Sequence, residues 1–143
     1  MKRESKALAG WVVFVLSAGL LLFGTLSTAV AADPEMFPCA ADEKVEKMIG
    51  SGAELAELSC FFKKFEGQEA LHVKVGVKNV SDKDQRFRVN LFFENGKAVG
   101  GLIPRKTKKG LVKPGDTAAF VYPVNGMTGK PESLMLKIST IGE

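Results

Sequence analysis

Few side chains in this chain could bind a metal or carry a reaction. In 143 residues there are two cysteines and one histidine, at Cys39, Cys60 and His72. A serine or cysteine nucleophile needs a base within hydrogen-bond reach, and His72 is the whole supply of imidazole. It falls on the polar side of an alternating run and reads as a solvated strand residue. Paired-carboxylate chemistry needs two acids facing one cleft, whereas the acids here lie in turns and in one N-terminal segment. Asp82 and Asp84 flank a lysine in a turn, without the Asp-x-Asp-x-Asp-Gly series of a calcium loop, and no glycine loop has phosphate-cradling spacing. The expectation is a protein that is not an enzyme, with no cofactor and no resident metal.

The cysteine pair is expected to form a disulfide, Cys39 to Cys60, if the chain reaches an oxidising compartment. The spacing is wrong for thiol redox work or covalent haem, which need Cys-x-x-Cys and Cys-x-x-Cys-His. Met36 and Cys39 together have the soft donors that suit Cu(I), and a metal-carrying role through Met36, Cys39 and Cys60 stands as a minor alternative.

The N-terminus supplies the compartment. Lys2, Arg3 and Lys6 precede an uncharged stretch from Ala7 to Ala32 that ends in Ala29-Val30-Ala31-Ala32, the small-residue pattern a signal peptidase accepts. The apolar run is about 25 residues, long enough to cross a bilayer core of about 30 Å as a helix, so residues 1–32 are either a cleaved signal peptide or a retained anchor. In the retained case Trp11 and the helix itself would contact partner helices. Either way the positive flank stays inside and the remainder is expected outside the cytoplasm, in the periplasm or cell envelope.

Charge is uneven along the rest of the chain. Residues 33–60 hold seven acids and two lysines, whereas residues 61–143 hold 15 basic residues and eight acids. An acidic arm thus precedes a basic body, and the two would either attract and pack or leave a basic face for an anionic partner. Within the body the densest cluster is Arg105, Lys106, Lys108, Lys109 and Lys113, with Arg86 and Arg88 on a neighbouring strand. These seven are the candidate contact residues for anionic lipid, an envelope polymer or an acidic protein. Nucleic acid is not expected, because the compartment is wrong and no aromatics interleave the cluster.

The elements that must position these residues show in the hydrophobic period. From 41 to 58, Val45, Met48 and Ile49 fall at i, i+3 and i+4, as do Leu55 and Leu58 at i and i+3, with Gly50-Ser51-Gly52 between them, which predicts a short helical arm in two pieces. From Phe61 the period becomes two. Leu71, Val73, Val75 and Val77 alternate with His72, Lys74, Gly76 and Lys78, and Phe87, Val89, Leu91 and Phe93 alternate with Arg86, Arg88, Asn90 and Phe92. Asn95-Gly96 predicts a hairpin, Lys113-Pro114-Gly115-Asp116 a turn, and Gly100-Gly101 a bulge or bend. Ala118, Phe120 and Tyr122, then Leu134, Leu136 and Ile138, predict two more strands. The expected fold is all-β, an antiparallel sandwich of about seven short strands.

Three stretches carry a resemblance: Val73-Lys74-Val75-Gly76-Val77-Lys78-Asn79-Val80-Ser81, Val89-Asn90-Leu91-Phe92-Phe93-Glu94-Asn95-Gly96-Lys97 and Leu111-Val112-Lys113-Pro114-Gly115-Asp116-Thr117-Ala118-Ala119-Phe120. Over residues 61–141 the chain resembles the bacterial FxLYD-type and related immunoglobulin-like domains, with Phe93-Glu94 where that family has Tyr-Asp. The resemblance implies an immunoglobulin-like sandwich for residues 61–143, following a leader at 1–32 and an arm at 33–60. It implies no active site. The function expected is a non-enzymatic exported binding or accessory module, acting through the basic loop or an exposed strand edge. If the leader is retained, the alternative is a single-pass accessory subunit of a larger membrane complex.

Overall fold

The computed structural model describes residues 31–141; residues 1–30, and with them the signal-or-anchor reading and Trp11, lie outside them. The chain divides into two compact units, Met1–Ala31 and Ala32–Glu143, and the second is a β-sandwich. Its strands are β1 (Val45–Ile49), β2 (Ala53–Phe65), β3 (Gln68–Asn79), β4 (Phe87–Phe93), β5 (Ala98–Ile103), β6 (Thr117–Val124) and β7 (Leu134–Thr140), with single 3-10 turns at Asp42–Lys44 and Thr107–Lys109. One sheet has the order β1-β7-β4-β5 and the other β2-β3-β6. All pairings are antiparallel except β1 on β7, which is parallel. No helix among the described residues is long and apolar enough to cross a membrane.

The alternation read from sequence sets the two inner faces. Phe87, Val89, Leu91 and Phe93 of β4 are buried while Arg88 and Phe92 are exposed, and Leu134, Leu136 and Ile138 of β7 join them from the next strand. Across the gap stand Leu71, Val73, Val75 and Val77 of β3, all fully buried, with Tyr122 and Val124 of β6. Turn chemistry follows the same logic. Gly96 closes the β4–β5 hairpin at φ 79°, and Gly115 sits at φ 81° two places after Lys113, whose carbonyl accepts the Asp116 N–H at 3.0 Å. Both are left-handed positions that favour glycine.

Three expectations are corrected. The helical arm is strand: β1 and β2 occupy 45–49 and 53–65, so sandwich structure starts well before Phe61. Val45, Lys47 and Ile49 face Leu134, Leu136 and Ile138 in register, and hydrogen bonding to β7 outweighs the helical spacing that Val45, Met48 and Ile49 display. His72 is not solvated but 7% exposed. Its cross-strand neighbour Phe61 stacks on the ring at 5.2 Å, Phe65 meets it edge-on at 6.1 Å, and Nδ1–H donates to the Ala70 carbonyl at 3.0 Å. Gly76, on the same face, is buried beneath Glu57. Finally, Gly100 and Gly101 make no bulge, since the β4–β5 register runs through them without a shift. They are close approaches instead: a Cβ on Gly100 would collide with the Val89 carbonyl oxygen, and Gly101 leaves room for the Tyr122 ring.

The disulfide is formed as expected, joining Cys39 to Cys60 across 21 residues with both cysteines buried. Such a bond belongs to an oxidising, extracytoplasmic compartment. It ties residues 37–40 along β2, where Phe37 and Cys60 exchange backbone hydrogen bonds at 2.8 Å. With the Cys39 sulfur bonded, the Met36–Cys39 donor pair for a soft metal is closed.

Candidate functional site

Strand direction sorts the connections into two ends. The β1–β2 turn, residues 80–86, residues 104–116 and Ile141 lie at one end; residues 33–36, 41–44, 66–67, 94–97 and 125–133 lie at the other, while residues 37–40 run along β2. At the first end the two long loops hold seven basic residues (Lys83, Arg86, Arg105, Lys106, Lys108, Lys109, Lys113) against three acidic ones. At the second the balance reverses, with seven acidic residues (Asp33, Glu35, Asp42, Glu43, Glu66, Glu94, Glu132) against Lys44, Lys97 and Lys130. The acidic segment therefore does not neutralise the basic cluster. The single ion pair among the described residues joins Lys74 to Glu57 at 2.9 Å, and hydrogen bonding from that ammonium holds the Glu57 carboxyl below its usual range. Half-exposed, it contributes little to stability. None of the loop lysines has a carboxylate partner among the described residues.

The basic loop leaves β5 through a cis Ile103–Pro104 peptide and is fastened at both ends. At its start, the Arg86 guanidinium donates to the carbonyls of Pro104 (3.0 Å) and Arg105 (2.8 Å), and the Arg105 guanidinium lies 4.9 Å over the Phe120 ring. At its return, Val112 and Gln85 exchange two backbone hydrogen bonds at 2.9 Å. Behind them the fully buried Asn79 donates through Nδ2 to the carbonyls of Val112 and Lys83, both at 2.8 Å. The Asn79 main chain completes the clamp, its N–H donating to Asp116 and its carbonyl accepting from Gly115. Residues 105–111 between these anchors are exposed.

The seven candidate residues thus have three different places. Lys106, Lys108, Lys109 and Lys113 are exposed around the loop, free to meet an anion. Arg86 and Arg105 shape it, one by hydrogen bonds and one by covering an aromatic ring. Arg88 is not part of the loop: it projects from the outer face of the four-stranded sheet, in register with Leu102 and Ser139. Exposed apolar side chains join the cluster at the same end, namely Val80, Leu111 and Ile141. Sequence reasoning missed Asn79 and Gln85, although Asn79 continues the two-residue spacing of Leu71, Val73, Val75 and Val77 and so had to point inward.

One buried group beside the loop has no protein partner. Tyr122 is 2% exposed and its hydroxyl finds no donor or acceptor among the described residues. Burial pushes its phenol up from the ordinary 10.0 to about 12, with Arg105 pulling weakly the other way. Tyr122→Phe is therefore expected to raise stability at pH 7 by about 1 kcal/mol, since it deletes a desolvated hydroxyl that bonds to none of the described residues. The pH dependence has a definite sign. Between 10 and 12 the unfolded phenol ionises while the folded one does not, so the native protein loses about 1.4 kcal/mol per pH unit there, and the Phe variant loses none at this site. Urea unfolding of both proteins at about pH 7 and about pH 11 measures both effects.

Among the described residues no group of three or more His, Cys, Asp or Glu could hold a metal ion. No family model, curated protein or solved structure matches the chain.

Proposed function

We propose that this chain is a non-enzymatic binding module of the cell envelope, an exported immunoglobulin-like sandwich of the FxLYD type that engages an anionic partner through its basic end. The observation that carries the reading is the pairing of a loop held rigidly at both ends with lysines that have no acid to neutralise them among the described residues. Preorganisation lowers the ordering cost of binding, and the opposite charge of the far end orients an approaching polyanion toward the lysines. The exposed Val80, Leu111 and Ile141 add apolar contact at the same surface.

The test is a titration of the full chain with poly-L-glutamate and with phosphatidylcholine vesicles containing or lacking phosphatidylglycerol, at low and physiological salt. Binding to one of these anionic probes, weakened by salt, is expected. Changing Lys106, Lys108 and Lys109 together to Ser is expected to weaken it about 100-fold, from about 1 kcal/mol for each lysine near an anionic surface. The same change should move stability by less than about 0.5 kcal/mol, because these side chains are solvated. Absence of binding to every probe, or binding unaltered by the triple change, removes the proposal.

A second reading rests on the apolar run of residues 7–32: a retained anchor would make the chain a single-pass accessory subunit of a membrane complex. Intact mass of the protein from membrane and soluble fractions separates the two, since a species beginning near Asp33 belongs to the exported module and one retaining Met1 to the subunit.

A further inference from the structure

The sandwich has four edge strands, and three are guarded against pairing with another chain. β1 is only five residues long, and Lys47 at its middle lies on the inward face in register with Leu136, an edge-blocking charge. β2 carries a register shift between Leu55 and Glu57 and is covered by residues 37–40 through the Phe37–Cys60 bridge and the disulfide. β6 presents Pro123 at its free edge: the Asn79 N–H bonds to Asp116 and the Leu71 N–H to Met127, so even-numbered β6 residues face β3 and odd-numbered ones face away.

β5 has none of these devices. From Ala98 to Ile103 it contains no charge, proline or bulge. The Phe93 N–H donates to the Lys97 carbonyl at 2.9 Å, so by antiparallel alternation Val99, Gly101 and Ile103 bond to β4. Ala98, Gly100 and Leu102 turn their N–H and C=O groups outward, and no other backbone hydrogen bond among the described residues reaches them. Their outer face adjoins the exposed Phe92, 43% accessible, across a shallow depression of about 440 Å³ over Gly100.

We infer that this edge is where two copies of the chain meet, β5 pairing antiparallel with β5 of a second copy about a two-fold axis at Gly100, so that two four-stranded sheets become one continuous sheet. The strand is self-complementary in that register. Ala98 of one copy lies opposite Leu102 of the other, and Gly100 lies opposite Gly100, giving about six backbone hydrogen bonds and no like charges face to face. Leu102 of the second copy comes in beside Ala98, one strand from Phe92, which covers apolar surface that is open in the single chain. Charge agrees beyond the strand ends: the hairpin carrying Glu94 in one copy approaches the loop carrying Arg105 and Lys106 in the other. Because the strands run in opposite directions, the two basic ends point away from each other. Such an interface is isologous and closed, and so makes dimers and not fibres.

The inference goes beyond the binding proposal, and its test needs no anionic partner. Sedimentation of the full chain, in mild detergent if the leader is retained, is expected to show a dimer that dissociates on dilution. Ala98→Lys with Leu102→Lys sets ammonium groups opposite one another twice and is expected to raise the dissociation constant at least about 100-fold; Ala98→Glu with Leu102→Glu should do the same. Mixing the two double variants is expected to restore a heterodimer, because each lysine then faces a glutamate only in the register centred on Gly100. Circular dichroism of each variant alone should match the native chain, since all four substitutions lie on the solvent face. A native chain that stays monomeric at high concentration overturns the inference. So does a dimer that the lysine changes leave intact, or a mixture that fails to associate.

Discussion

Asn79→Ala is expected to lower the unfolding free energy by about 3 kcal/mol, a loss out of proportion to the few atoms removed. The amide Nδ2 donates to Lys83 and Val112, and Oδ1 accepts from the Ser81 N–H (2.9 Å) and Ser81 Oγ (2.7 Å), all around a fully buried side chain. Each such bond is worth about 1 kcal/mol net, and truncation leaves desolvated partners behind. Asn79→Asp separates hydrogen bonding from cavity formation. It keeps the volume and the acceptor toward Ser81 but turns an oxygen at two carbonyls, and is expected to cost at least as much as alanine. Urea unfolding of both variants is the measurement; a cost below about 1 kcal/mol for both would refute the clamp. Where the Asn79 variant still folds, its binding to the anionic probe should weaken with Lys106, Lys108 and Lys109 intact, because the return strand of the loop is no longer fixed.

The second large effect belongs to the disulfide. Cys39→Ala with Cys60→Ala is expected to reduce stability by about 3 kcal/mol, through the freedom restored to a closed loop of 21 residues in the unfolded chain. Alanine is the apt replacement, since Cys60 is fully buried and a serine hydroxyl there would add a desolvation cost of its own. Because both sulfurs are out of water, alkylation of the native protein should label neither cysteine until reductant and denaturant are both present. Equal unfolding midpoints for the native and double-alanine proteins would show that the bond contributes nothing.

What the sequence made legible divides along a physical line. β3, β4, β6 and β7 each have an inner and an outer face, and their period of two survives in the residue types. β1 and β2 do not advertise themselves, because Glu, Lys, Ala, Leu and Met are helix-favouring residues and β1 gains its hydrogen bonds only from β7, about 90 residues later. Lys47 at an inward position hides the alternation further. Alternation puts His72 on its correct face, but a one-dimensional pattern does not reveal that Phe61 lies across the strand from it. The lysine cluster is contiguous in sequence and so is legible. The roles of Arg86, Arg88 and Asn79 depend on register between distant strands and are not.

The covalent tie between Cys39 and Cys60 also governs how the domain answers to tension. Force applied to the chain before Cys39 passes through the disulfide to Cys60, in the interior of the longest strand, and not through the peptide that leads into β1. Residues 40–59, which include all of β1 and the first half of β2, form a slack loop outside the load path. The short parallel strand, the weakest-looking piece of the sandwich, therefore cannot be peeled off β7 by a pull from its own terminus. A pull from that side therefore loads β2 along its pairing with β3, its long antiparallel neighbour.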